Sequence, residues 1–245
     1  MRFSLKPPTP VIPTDLWGWY DFSDESTVTL YSNRITALRD KGPRACNLTQ
    51  PVLVDTPFYG VDFINGLNTG TSLPLMNGQL NGPVMSTPIT GVQWDTSVYV
   101  VYQSTSVQNG NAGLVGSSTP TPPGLGDYLQ MKYWADILYG DPTARIETTP
   151  SQQPTLGEIH SVKATADVKT YRNGAHVATA TSSSWSVSNL GMEWIQTSLF
   201  LSMPHITFDG AIGEVIIYYG DGAYKGDTFR EHIASYLMTK WGITP

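Results

Sequence analysis

The chain's twenty Asp and Glu residues are its main stock of acid–base chemistry. Hydrolysis of a glycan needs two such groups facing each other. They sit about 5–5.5 Å apart in retaining enzymes and about 6.5–9.5 Å apart in inverting ones. Two acids at i, i+2 or i, i+4 on one strand would meet that need, because alternate strand residues share a face. No strand-like segment carries that spacing. Glu214 is the one acid inside a strong strand pattern, Ala211–Tyr219 (AIGEVIIYY), and it has no such partner. Asp209 lies five positions earlier, so a regular strand would send the two to opposite faces. Glu214 is therefore expected to be structural, held by backbone N–H groups or a buried partner. No catalytic residue and no enzymatic activity are expected.

The other reactive types are sparse. His160, His176, His205 and His232 form no i, i+2 or i, i+4 pair, so no zinc spacing appears. The single Cys46 allows no internal disulfide, and no His lies near it; it reads as a small buried apolar side chain. There is no Gly-x-Ser-x-Gly elbow and no phosphate loop, so no cofactor is expected. Calcium stays open: Asp127, Asp136 and Asp141 lie close in sequence beside Gly126 and Gly140, without a fixed ligand pattern. Sugar recognition needs exposed aromatic faces beside polar groups. Tyr128, Tyr133, Trp134 and Tyr139 are the candidates, with Trp94 and Trp185 as further ones. Core or sheet packing is the competing fate of each.

The elements that would position these groups read as β-structure. The 245 residues fit one all-β domain, since sandwiches reach about 250 residues as one unit. Charged residues are 14% of the chain, against roughly 25% in an average domain. Gly, Pro, Ser, Thr and Asn take their place, and these are turn formers. The net charge is −6 with no basic cluster, which argues against a nucleic-acid partner. No run of about 18 apolar residues exists, so no helical membrane span is expected. Met1–Pro13 (MRFSLKPPTPVIP) has no apolar signal region and is rich in Pro, so it reads as an extended arm. Work inside a cell, or release within a virus particle, is then expected. The sequon Asn47-Leu48-Thr49 would go unused.

Leu16–Phe22 (LWGWYDF) reads as a core strand. Val28–Leu30 and Ile35–Leu38 follow, split by a turn at Tyr31-Ser32-Asn33-Arg34. Residues 60–91 read as long loops with short strands, and Ser117–Gly126 as another loop. Ser97–Gln103 and Asp127–Trp134 read as strands. Asn173-Gly174 marks a hairpin between Val168–Tyr171 and His176–Thr179. After the strand Ala211–Tyr219, Thr228 and Glu231 have capping-box spacing. Phe229, Ile233, Tyr236, Leu237 and Trp241 form one helical stripe, and Gly242 is the expected left-handed cap. Trp17, Glu214, Tyr236 and Trp241 are expected to serve the structure.

The order of several blocks resembles the concanavalin A-like, laminin-G-like domains of bacteriophage structural proteins and bacterial surface proteins. The blocks are Leu16–Asp24, Val28-Thr29, Leu38–Lys41, Asn47–Pro51, Tyr171–Gly174, Phe208–Tyr218 and Ile233–Ile243. The resemblance runs from Asp15 to Ile243 and covers residues 60–91 poorly. It implies a two-sheet antiparallel jelly-roll sandwich over residues 14–245, closed by a short C-terminal helix and preceded by the arm 1–13. It also implies glycan binding, protein binding or structural duty, and laminin-G-like domains often bind calcium through loop carboxylates. The leading expectation is a non-catalytic structural or attachment protein at the virion surface, such as a capsid decoration, head fibre or tail component. Its partners would be other virion proteins, further copies of itself and host polysaccharide. The alternative is a carbohydrate-binding module of a bacterial surface protein, and the third reading is an endo-glycosidase.

Overall fold

The computed structural model describes residues 16–49, 57–72, 85–88, 96–104, 115–118, 130–132, 137–139, 145–146, 152–162, 167–181, 196–199, 210–219 and 224–245. The strands are β1 (Leu16–Asp21), β2 (Val28–Tyr31), β3 (Arg34–Leu38), β4 (Leu48–Thr49), β5 (Phe58–Ile64), β6 (Leu67–Ser72), β7 (Met85–Pro88), β8 (Thr96–Ser104), β9 (Val115–Ser118), β10 (Gln130–Lys132), β11 (Ile137–Tyr139), β12 (Arg145–Ile146), β13 (Thr155–Val162), β14 (Asp167–Arg172), β15 (Ala175–Thr181), β16 (Gln196–Leu199) and β17 (Gly210–Tyr219). One α-helix, α1 (Asp227–Trp241), closes the described chain. The arm 1–13 lies outside the described residues.

The fold is all-β and antiparallel, as the sequence predicts, with a single C-terminal helix. The main ladder runs β15-β14-β13-β8-β17-β6-β5-β3-β4-β7-β16-β9, and β10-β11-β12 form a small separate sheet. Strand β17 is the junction. Its residues Gly210–Ile212 pair with β6, while Leu16–Asp21 of β1 occupies the same edge further along. Gly213 marks the split, where the register against β8 also shifts. The two layers of the sandwich are therefore joined through one hydrogen-bonded ladder.

Both faces of β17 are buried, which explains its almost unbroken apolar sequence. Residues directly opposite in a ladder share a face. Ile216 thus lies with Trp19 of β1 and Tyr99 of β8 on the face that α1 covers. Val215 lies with Tyr20 and Val100 on the other face. The helix contributes Ile233, Ala234, Tyr236, Leu237 and Trp241 to the core beneath it. Each large side chain buried there is worth roughly 1.5–3 kcal/mol. An isolated helix of this length is marginal in water, so this packing holds it.

Three local expectations need correction. The capping box at Thr228 and Glu231 does not form, because α1 starts two residues earlier, after Gly226. That glycine takes a φ of 89°, open to a residue without Cβ, and no side chain caps the helix. The Asp227 carboxylate is instead occupied by the hydroxyls of Tyr171 and Tyr224. Gly242 does take the left-handed cap, with φ 66°. Second, the stretch 60–91, read as long loops with short strands, opens within a hairpin, β5–β6, turned by Asn65 (φ 50°) and Gly66 (φ 72°), with a register shift between Tyr59 and Phe63. Third, Cys46 is half-buried, and its N–H donates to Asp40 Oδ2 at 3.0 Å.

Candidate functional site

Two buried polar clusters pin α1 to the sheet. The first gathers around Glu214. Its Oε1 accepts from Trp19 Nε1 at 2.6 Å and from the Tyr236 hydroxyl at 3.1 Å. Its Oε2 accepts from Lys240 Nζ at 2.7 Å and Trp241 Nε1 at 2.8 Å. Of the two expected kinds of support, backbone N–H groups or a buried partner, the structure shows the second: the partners are side chains from β1 and α1. Glu214 also has an acidic neighbour, a correction to the expectation that it stands alone. Asp21 is directly opposite it in the β1–β17 ladder, and Lys240 bridges the two at 2.8 and 2.7 Å. Side chains opposite each other across an antiparallel pair stand about 4.5–5.5 Å apart at Cβ, which makes the two acids neighbours in the fold. A search along single strands misses such a pair, because it forms only when β1 meets β17.

This pair does not face a cleft. Glu214 is 0% exposed and Asp21 3% exposed. Burial, followed by the charge of Asp21, pushes the Glu214 carboxyl up against the pull of Lys240 and Trp241. Burial acts upward on Asp21 too, but the Lys240 ammonium, with hydrogen bonds from Lys240, Lys41 and Ser23, holds it below the usual range. Lys41 extends the cluster toward solvent through ion pairs to Asp21 at 2.8 Å and Asp24 at 3.0 Å. The hydrogen bond from Ser26, with those of Lys41, brings Asp24 down to about 2.

The second cluster holds the other end of the helix. Arg230 Nη1 donates to Glu158 Oε2 at 3.2 Å, and the guanidinium lies 3.9 Å above the Tyr171 ring. Fully buried His160 sits 3.4 Å from Glu158, walled by the rings of Tyr99, Tyr171 and Tyr224. The carboxylate can only accept, so a neutral imidazole carries its proton on Nε2. His160 Nδ1 has no hydrogen-bond partner. Burial drives its pKa down, outweighing the upward pull of Glu158.

The two clusters set a two-stage acid response. A buried neutral His costs stability as pH falls below the value of the unfolded chain, 6.5, because the unfolded state then binds the extra proton. Asp24 acts in the same direction at lower pH: its stabilisation is complete above its ordinary value of 3.8 and is lost as pH falls toward about 2. Asp21, also lowered, adds to that second stage. Over the pH range of the first stage Glu214, whose carboxyl is raised, acts the opposite way with or without His160. The signal is therefore the difference: from pH 7 to 5 the melting temperature of the native protein is expected to change more unfavourably than that of His160→Gln. His160→Gln should flatten that first stage and leave the loss below pH 4 intact. An equally steep first stage in the variant would remove His160 as its cause.

Of the residues singled out for sugar, Tyr139 ends β11, while Tyr128, Tyr133 and Trp134 lie outside the described residues, as do Trp94 and Trp185. Asp127, Asp136 and Asp141, the calcium candidates, also lie outside them. Among the described residues, no three His, Cys, Asp or Glu side chains are grouped to hold a metal ion, and no helix is long and apolar enough to cross a membrane. Trp17 is in β1; Glu214, Tyr236 and Trp241 meet in the first cluster.

Among the described residues, exposed aromatic rings occur on β2 and β5. Tyr31 is 62% exposed at the end of β2, and Phe63 is 53% exposed on β5. Tyr31 lies opposite Arg34, whose guanidinium stacks 4.0 Å over the Phe58 ring. Reading Tyr31 as a turn residue hid it as a candidate. A groove of about 550 Å³ also opens between α1 and the β14–β15 hairpin.

No protein-family model matches the chain, and no curated protein matches it in sequence. Solved structures do match. The binding domain of Paraclostridial Mosquitocidal Protein 1 aligns with a TM-score of 0.58 and 14% identity, over 91% of this chain and 52% of that one. An arabinofuranosidase complexed with arabinofuranosyl-α-1,2-xylobiose aligns at 0.54 and 11% identity, over 83% and 51%. Domain 4 of AbnA, a GH43 extracellular arabinanase from Geobacillus stearothermophilus, in complex with arabinotriose, aligns at 0.52 and 14% identity, over 84% and 93%. The chain thus spans about half of the first two and nearly all of the third. At these identities the likeness establishes the fold.

Proposed function

We propose that this protein is a carbohydrate-binding domain that holds a saccharide without cleaving it. The observation that carries the reading is the match over 93% of a separate domain captured with arabinotriose. The alignment runs nearly end to end on that domain, so the shared part is a whole binding unit of a sugar-acting protein. The acid geometry supports binding over catalysis. The opposed carboxylates Asp21 and Glu214 are both held by Lys240, with Lys41 also on Asp21, and are buried under α1, out of reach of a glycosidic oxygen. A general acid must come within hydrogen-bond reach of its substrate.

The virion placement drawn from the Pro-rich arm and the closing block has no counterpart in these comparisons. The carbohydrate-binding alternative is the better supported of the two.

Calorimetric titration with arabinotriose, xylotriose and cellotriose tests the proposal. Saturable binding of at least one triose is expected, with a Kd in roughly the 10 μM to 1 mM range, since a small ligand on a surface site returns only a few kcal/mol. Absence of saturable binding to all three would overturn it.

A further inference from the structure

We infer that the groove between α1 and the β14–β15 hairpin is the saccharide seat, and that it takes a short, neutral, hydroxyl-rich oligosaccharide. This rests on the carbohydrate-binding reading above. The groove's volume, about 550 Å³, falls within the range of roughly 300–1,000 Å³ typical of small-molecule sites.

Its walls have the mixture a sugar requires. Glu231, Ser235 and Thr239 recur every four residues on α1, so they rise along one stripe of the helix, and all three are exposed. Hydroxyls donate and accept, and a carboxylate accepts, which matches the alternating needs of sugar hydroxyls. Ala234, Met238 and Ile243 supply an apolar floor beside that stripe for the C–H face of a sugar ring. The opposite wall is the Asn173–Gly174 turn, and it is fixed. Asn173 N–H donates to Leu156 O at 2.9 Å, and Asn173 Oδ1 accepts from Leu156 N–H at 3.0 Å. A wall already ordered loses little freedom when a ligand arrives.

Charge selects against anions. Arg230 is the one cation among the described residues that line the groove. Its Nη1 and Nη2 are engaged by Glu158, the Gly174 carbonyl and Glu231. With two carboxylates around one guanidinium, an acidic sugar meets net repulsion. Arg230 Nε is turned away from the groove on a residue 5% exposed and faces the Asp227 carboxylate at 4.0 Å, so the guanidinium offers an anion no free edge.

The test uses the full chain, the three neutral trioses and trigalacturonate as the anionic probe. Ser235→Trp, at an exposed site, should fill the groove and weaken triose binding at least tenfold with an unchanged melting temperature. Ser235→Ala and Thr239→Ala should each weaken it about fivefold, the effect of one lost hydrogen bond. Tyr31→Ala and Phe63→Ala should leave it unchanged. Hydrogen exchange should show new protection at residues 231–239 on adding triose, a readout independent of any variant. If the native protein binds no triose, this assignment falls together with the parent reading. If it binds and Ser235→Trp binds equally, or Tyr31→Ala abolishes binding, the groove is the wrong place while the parent reading stands. Tighter binding of trigalacturonate than of any neutral triose would overturn the ligand class.

Discussion

Replacing Trp241 with alanine is expected to lower the melting temperature by about 6–20 °C. Removal of a buried Trp costs about 3–5 kcal/mol, and each kcal/mol shifts a domain of this size by about 2–4 °C. Trp241 is 0% exposed. Its ring lies on Gly213, where an added Cβ would come within 2.7 Å of the indole carbons. The indole N–H donates to Glu214 at 2.8 Å. One side chain therefore fills the space above the split in β17 and satisfies the buried acid. Trp241→Phe keeps part of the volume and loses the donor, so it should fall between native and alanine. Thermal unfolding followed by circular dichroism gives the answer. An unchanged melting temperature for Trp241→Ala would mean that α1 does not stabilise the sheet.

The second large effect is expected at Glu214. Alanine there leaves two indole N–H groups, the Tyr236 hydroxyl and Lys240 without their shared acceptor. Breaking a buried ion pair from one side costs about 3–5 kcal/mol. Glutamine keeps the shape and one acceptor oxygen, but its amide NH₂ must face donors. Its loss should be smaller than that of alanine yet measurable. Lys240 retains Asp21 in both variants, which limits the damage. Urea unfolding of the three proteins orders them: native, Gln, Ala. A Glu214→Ala protein as stable as the native one would show that the cluster contributes nothing to folding.

Much of the fold was legible because its strongest signals are local. The Asn173-Gly174 pair marks a hairpin whose positive φ values, 49° and 77°, are those of the expected turn. The apolar run of β17 and the stripe of α1 are periodic patterns that tertiary packing reinforces. Asn65-Gly66 carries the same turn signal as Asn173-Gly174 but sits among Gly and Asn residues, and that composition masked the hairpin β5–β6. The candidate site was less legible for a different reason. The Asp21–Glu214 pair joins residues 193 positions apart, as their numbers show, and depends on which strands become neighbours. Arg230 belongs to no local pattern, because its partner Glu158 lies on β13, 72 positions away. The groove is a product of how α1 lies across the β14–β15 hairpin, which no single segment encodes.

Co-sedimentation of the protein with insoluble arabinan and xylan, with reducing ends counted in the same tubes, tests binding and cleavage together. The expected result is retention of the protein on at least one polysaccharide, reversed by its soluble triose, with no new reducing ends after a day. Release of reducing ends that disappears in Glu214→Gln, or failure to be retained by either polysaccharide, would contradict a domain that holds sugar without cutting it.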